Sequence, residues 1–88
     1  MIAPEEINRL RWACRRGMLE LDLVLEPFVV ARYAGLDELD RQRFQRLLGC
    51  EDQELFAWFL RREQPEDEEL RAIVGTILEF ARTAPADR

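Results

Sequence analysis

Two adjacent arginines, a glycine and two carboxylates fall within one short stretch of this sequence. Arg15 and Arg16 come directly before Gly17, and Glu20 and Asp22 follow within five residues. The forked guanidinium of arginine suits bidentate contacts with carboxylates and phosphates. A helix–glycine–helix corner projects side chains from two helix ends into one place, so the stretch predicts an exposed patch that carries both signs of charge.

Apolar residues in the same stretch favour recognition of another protein. Trp12 and Met18 would add apolar contact area to the patch, and Arg, Trp and Met are enriched at protein interfaces. A purely structural interpretation stays open beside this one. Gly17 can be a helix cap, and Glu20 can serve as a first-turn carboxylate that complements the helix dipole. Arg16 and Glu20 also have the spacing of an i, i+4 pair, worth roughly 0.3–0.5 kcal/mol within one helix.

The composition argues against catalysis. The sequence has no His, Ser or Lys, which excludes Ser–His and Cys–His nucleophilic pairs, a Lys Schiff base and a phosphate-binding Lys loop. Cys14 and Cys50 lie far apart and lack the further N or S ligands of a structural zinc site. We interpret both as small buried hydrophobic residues, and we predict that the protein is not an enzyme and binds no metal.

The charge balance narrows the choice of partners. The chain has a net charge of −5, and all 13 of its basic residues are Arg. Nucleic-acid binding requires a positive face, so the acidic total argues against it. The first residues are acidic and no apolar run is long enough to cross a bilayer. These features predict a soluble, cytoplasmic protein that does not insert into membranes.

The elements that must position the patch are five predicted helices. The first two are expected at residues 4–15 and 18–34. Gly17 is predicted to end the first helix in a left-handed conformation, and Pro27 to kink the second helix or split off its last turn. Asp37 and Asp52 are predicted N-caps for the third and fourth helices, and the fifth is expected to begin in the acidic run 66–69. Short connections predict an all-α, compact five-helix bundle that forms one domain over residues 1–88, with a frayed tail at 83–88.

The stretch from Arg16 to Glu20 resembles the R-G-x-x-E signature of the SdhE (YgfY) family, the bacterial FAD assembly factors of succinate dehydrogenase. Residues 12–17, 20–22 and 27–28 are also similar to family members, as is the later block 47–52 followed by 55–58. The resemblance covers roughly residues 8–75. One departure is Gln53, which stands in a turn where relatives often have Pro.

This resemblance implies an accessory protein that binds the flavoprotein subunit of succinate dehydrogenase, and of fumarate reductase, and promotes covalent attachment of FAD to a histidine there. It assigns the functional motif to Arg16, Gly17 and Glu20. The neighbours that it implies in the partner-binding surface are Arg15, Trp12, Met18 and Asp22.

Several expectations follow for the chain itself. Since it has no His, it cannot carry a histidyl-linked flavin, and we expect no stably held cofactor and a monomer when free. Exposed charges contribute little to stability, so Arg16→Ala and Glu20→Ala are expected to leave the bundle folded. The alternative functions are an antitoxin-like or other regulatory protein-interaction module and, less in keeping with the charge, a helix-turn-helix nucleic-acid binder.

Overall fold

The computed structural model describes residues 2–83, and this range contains five α-helices and no strand. The helices are α1 Pro4–Ala13, α2 Leu19–Arg32, α3 Glu38–Leu48, α4 Asp52–Phe59 and α5 Glu68–Arg82. A single 3-10 turn, Tyr33–Gly35, follows α2. The predicted all-α, five-helix fold is therefore confirmed. The predicted fraying of residues 83–88 lies outside the described residues, except at Thr83.

Helix α2 lies at the centre of the bundle and packs against α1, α4 and α5, while α3 packs against α5. Phe28 of α2 is buried between two other rings. Its centroid lies 5.6 Å from that of Phe44 in α3 and 5.5 Å from that of Phe80 in α5. Burying a Phe side chain stabilises a fold by about 1.5–3 kcal/mol. This aromatic cluster holds α3 and α5 against α2, and thereby brings the end of α3 close to the start of α2.

The connection between α1 and α2 is longer than the sequence predicted. Helix α1 ends at Ala13, two residues before the predicted end, and α2 begins at Leu19. Gly17 lies within the connection and has a φ of 79°, so the prediction of a left-handed conformation there is confirmed. Residues 14–18 between the two helices are called the 14–18 turn below.

Pro27 does not split off the last turn of α2, because one continuous helix runs through the proline to Arg32, and the kink that was the other expectation there stays a prediction. Proline cannot donate the hydrogen bond to the carbonyl four residues earlier, here that of Leu23. The Leu23 side chain is exposed. This face of α2 is therefore open to water, which can satisfy the carbonyl in place of the missing N–H.

The predicted caps are correct at α3 and wrong at α4. Asp37 caps α3 by accepting a hydrogen bond of 2.8 Å from the backbone N–H of Asp40. At α4 the N-cap is Glu51, whose backbone N–H donates to the side chain of Glu54 at 3.2 Å. Asp52 is the first residue inside α4, so its carboxylate is not used as a cap.

The end of α4 places a residue other than glycine in the left-handed region. Arg61 has a φ of 62°. The N–H of Arg62 donates to the carbonyl of Ala57 at 2.9 Å, and the N–H of Arg61 donates to that of Trp58 at 3.1 Å. These two bonds form a Schellman motif, in which the left-handed position usually holds glycine. An L-residue there costs about 1–2 kcal/mol.

Candidate partner-binding site

Gly17 is an exposed residue of the 14–18 turn. A Cβ atom added at this position would meet no atom within 4 Å. Glycine is therefore needed here for its backbone conformation and not because the fold leaves no room. The open space on its outer side leaves the backbone accessible to a partner.

Arg16 turns inward from the same turn, contrary to the expectation of an exposed charge. Its side chain is only 17% exposed. The guanidinium donates to the carbonyls of Leu48 and Cys50, the latter at 3.5 Å, and to Asp52 Oδ1 at 3.2 Å. The i, i+4 pair of Arg16 and Glu20, which the structural interpretation allowed within one helix, is not formed, because the two residues do not share a helix and Arg16 bonds to the junction between α3 and α4. We call this set of bonds the Arg16 clamp.

The Arg16 clamp has a simple electrostatic cause. The last carbonyls of a helix have no partner within the helix and carry a partial negative charge. Leu48 is the last residue of α3, and the carboxylate of Asp52 adds a full negative charge nearby. A guanidinium with several donors suits this group of acceptors.

Two more of the predicted contact residues stabilise the 14–18 turn from inside. Asp22 accepts a hydrogen bond of 2.9 Å from the backbone N–H of Arg16. Met18 is half-buried and packs against the core, and its carbonyl accepts bonds from the N–H groups of Leu21 and Asp22. The structure thus places Met18 and Asp22 where they hold the turn, and not in an exposed patch.

Trp12 and Arg15 do lie at the surface, as predicted. The Arg15 guanidinium lies over the Trp12 ring, 4.6 Å from its centroid, and also donates to Glu26 at 3.4 Å. Arg11 donates to the same carboxylate at 3.1 Å. Hydrogen bonds from Arg11 and then from Arg15 lower the pKa of Glu26, so this carboxylate stays charged and fixes Arg15 beside Trp12.

Glu20 is the exposed carboxylate of the site. It lies in the first turn of α2, and its side chain makes no hydrogen bond or ion pair within residues 2–83. Trp12, Arg15, Gly17 and Glu20 together form an exposed surface that we call the corner face. Of the seven residues predicted from the sequence, these four are accessible, while Arg16, Met18 and Asp22 support them.

The sequence did not identify two residues that shape the site. Glu26 fixes Arg15 from a position 11 residues away, and Asp52 pairs with Arg16 from 36 residues away. Neither spacing corresponds to neighbours on a single helix, so no local pattern indicates these pairs.

The two cysteines are free thiols. Burial raises the pKa of Cys14 to about 12, and desolvation likewise raises the pKa of the half-buried Cys50. Since the thiolate is the nucleophile, neither is suited to covalent catalysis. The interpretation of Cys14 as a buried residue is confirmed, whereas Cys50 is only half-buried.

Residues 2–83 contain no group of three or more His, Cys, Asp or Glu side chains in an arrangement that could bind a metal ion. None of the helices in that range combines the length and the apolar character required to cross a bilayer.

Comparison with known proteins identifies the family. The model of the family described as "Flavinator of succinate dehydrogenase" matches residues 8–81, a range that includes the corner face and the Arg16 clamp. The chain belongs to this family. The resemblance of the stretch from Arg16 to Glu20 and its flanks to the SdhE family is confirmed.

Individual members of this family are similar to the chain over nearly their whole length. The FAD assembly factor SdhE of Pseudomonas aeruginosa is 55% identical over 79 residues, which cover 90% of this chain and 94% of that protein. SdhE of Shewanella oneidensis is 56% identical over 79 residues with the same coverage. The solution structure of a UPF0350 protein is similar with a TM-score of 0.74 and 36% identity, over 100% of this chain and 96% of that one.

Proposed function

We propose that this chain promotes covalent attachment of FAD to the flavoprotein subunit of succinate dehydrogenase by binding that subunit through the corner face. The observation that carries the proposal is the family match over residues 8–81, because the relatives in this family are named FAD assembly factors. The absence of His, Ser and Lys fits a protein that assists a reaction taking place on its partner.

The corner face offers three kinds of contact to the partner. Glu20 presents an unpaired carboxylate, Trp12 presents an apolar ring that is 69% exposed, and Gly17 allows the partner to approach the backbone closely. In this proposal Arg16 acts through the Arg16 clamp, which positions Gly17 and Glu20, and does not touch the partner. Binding holds the mobile parts of the flavin site in one arrangement, so that the acceptor histidine and the flavin meet more often in a reactive geometry.

The proposal extends to the state of the free chain and to a second partner. We propose that the chain acts in the cytoplasm as a monomer, holds no FAD stably and is not itself an enzyme. We further propose that the flavoprotein subunit of fumarate reductase is a second partner, bound through the same face.

In-gel flavin fluorescence of the denatured flavoprotein subunit tests the proposed function, because covalent flavin survives denaturation. Cells that lack the gene are complemented with wild type, Glu20→Ala or Glu68→Ala. Glu68 is a matched control, since it is also an exposed first-turn carboxylate without a side-chain partner among residues 2–83. Wild type and Glu68→Ala are expected to restore the fluorescent band, and Glu20→Ala to restore it only partly. Equal fluorescence in all strains, including the deletion, would refute the proposal.

A further inference from the structure

Helix α2 carries a row of large apolar side chains on the face opposite to the core. Leu19, Leu23 and Val30 are 67%, 65% and 62% exposed. At about 100° per residue, these positions lie within about 40° of one another around the helix axis. The row extends for about 17 Å along the helix, since successive residues rise by about 1.5 Å. We call these three residues the α2 row.

The α2 row is continuous with the corner face. Leu19 directly precedes Glu20 in the chain. Farther along α2, Glu26 projects on the same side as the row and bonds to Arg15, which in turn lies over Trp12. A partner that contacts the corner face therefore meets the α2 row without crossing an intervening element.

A shallow surface depression lies beside the α2 row and is called the groove below. It is lined by apolar side chains, among them Leu23, Pro27 and Val30 of α2 and Phe80 of α5, together with the carboxylates of Asp22 and Glu26. The groove has a volume of about 390 Å³, which falls within the range of about 300–1,000 Å³ typical of small binding sites. Large exposed apolar side chains that are contiguous with such a groove mark interaction sites more often than isolated exposed residues do.

We infer that the α2 row is the second part of the interface with the flavoprotein subunit, covered by an apolar helix of that subunit that lies along α2. This inference rests on the proposed function, because it assigns the same partner to a larger surface. Side chains at i, i+4 and i+11 have the heptad spacing of an apolar seam that packs against a second helix. An amphipathic helix in an apolar groove is also a recurrent mode of recognition.

The charges beside the α2 row favour this partner over a second copy of the chain. Glu20 and Asp22 of α2 have no ion-pair partner among residues 2–83, whereas Glu26 is already paired with two arginines of the first helix and its connection. The only basic residue of α2 is Arg32 at its end. In a symmetric dimer the same patch meets itself, so the carboxylates of both copies would be brought together. A partner helix with basic residues beside its apolar ridge complements these charges instead.

Titration of the purified flavoprotein subunit into the full chain, followed by calorimetry, tests the inference. Leu23→Glu and Val30→Glu place a charge in the α2 row, whereas Leu39→Glu places one at a Leu of α3 that is 50% exposed and outside the row. We expect the two row variants to bind at least about tenfold more weakly, because an interfacial charge would lose its water. Leu39→Glu is expected to bind within about twofold of wild type. Thermal melting of each variant establishes that it is folded.

Three outcomes would overturn the inference. If both row variants bind like wild type while Glu20→Ala binds weakly, the α2 row lies outside the interface and the proposed function stands. If wild type does not bind the subunit at all, the inference and the proposed binding both fail. If sedimentation reveals that the free chain is a dimer and that Leu23→Glu makes it a monomer, the α2 row serves self-association.

Discussion

Replacing Arg16 by alanine removes the side chain that connects the 14–18 turn to the junction between α3 and α4. The guanidinium bonds to the carbonyls of Leu48 and Cys50 and to the carboxylate of Asp52. After the substitution these acceptors lose a charged donor at a site where the Arg16 side chain was only 17% exposed. The expectation that Arg16→Ala leaves the bundle folded assumed that Arg16 is an exposed charge, and the side chain is instead largely buried.

The size of the effect follows from the kinds of bond that are lost. A hydrogen bond that involves a charged group contributes about 1.5–3 kcal/mol, and the contact with Cys50 is at the 3.5 Å limit and adds little. The ion pair with the half-exposed Asp52 contributes less than about 1 kcal/mol. We therefore expect Arg16→Ala to lower the free energy of unfolding by about 2–3 kcal/mol. In a domain of this size that corresponds to a decrease in Tm of roughly 10–20 °C.

Urea unfolding followed by tryptophan fluorescence measures this change, and Asp52→Ala is the matched control. Asp52→Ala removes the ion pair and leaves the bonds from Arg16 to the two carbonyls in place. Its expected cost is about 1 kcal/mol or less, including the loss of a first-turn carboxylate from α4. If Arg16→Ala unfolds at the same urea concentration as wild type, the bonds from Arg16 to the two carbonyls do not hold the turn. The same conclusion follows if Asp52→Ala lowers the free energy of unfolding as much as Arg16→Ala does.

Three further predictions concern other parts of the molecule. A hydrogen bond from Arg46, followed by backbone donors, lowers the pKa of Asp67 from 3.8 to about 2. The stability that the Asp67 charge contributes is complete above pH about 4 and is lost as the pH falls towards 2. The difference in urea midpoint between wild type and Asp67→Asn should therefore shrink over that interval. A difference that stays constant would contradict this prediction. Arg61→Gly relieves the left-handed strain at the end of α4 and should raise stability by about 0.5–1 kcal/mol, which a decrease in Tm would disprove. Iodoacetamide at pH 8 should modify Cys50 before Cys14, because the buried Cys14 reacts only when the chain unfolds. Mass spectrometry measures the order of labelling, and early labelling of Cys14 would show that its burial is incomplete.

The sequence predicted those features that depend on neighbouring residues. The left-handed conformation at Gly17 and the cap at Asp37 both follow from interactions within four residues, and both are present in the structure. The error at Asp52 has the same local origin. Glu51 and Asp52 are adjacent acidic residues before an apolar run, and a local pattern does not decide which of them caps the helix and which faces Arg16.

The candidate site was less predictable because its bonds join distant segments. Arg16 and Glu20 have the spacing of helix neighbours, but α1 ends at Ala13, so the spacing does not apply. The exposed row on α2 was missed for a related reason. Leu19 and Leu23 alternate with the buried Leu21 and Leu25, and apolar residues on both sides of a helix do not indicate which side the core covers.

The Arg16 clamp also bears on the order in which the chain can fold. Arg16 and Asp52 are 36 residues apart, and all partners of the Arg16 side chain lie at or beyond the end of α3. During synthesis α1 and α2 emerge first and can pair locally, whereas bonds over long sequence separations form later. The 14–18 turn therefore receives its final restraint only after the junction between α3 and α4 has been made and has docked. A nascent or misfolded chain would present Gly17 on a turn that only the local bonds to Asp22 and Met18 restrain. Recognition of the corner face would then select for molecules that have completed folding.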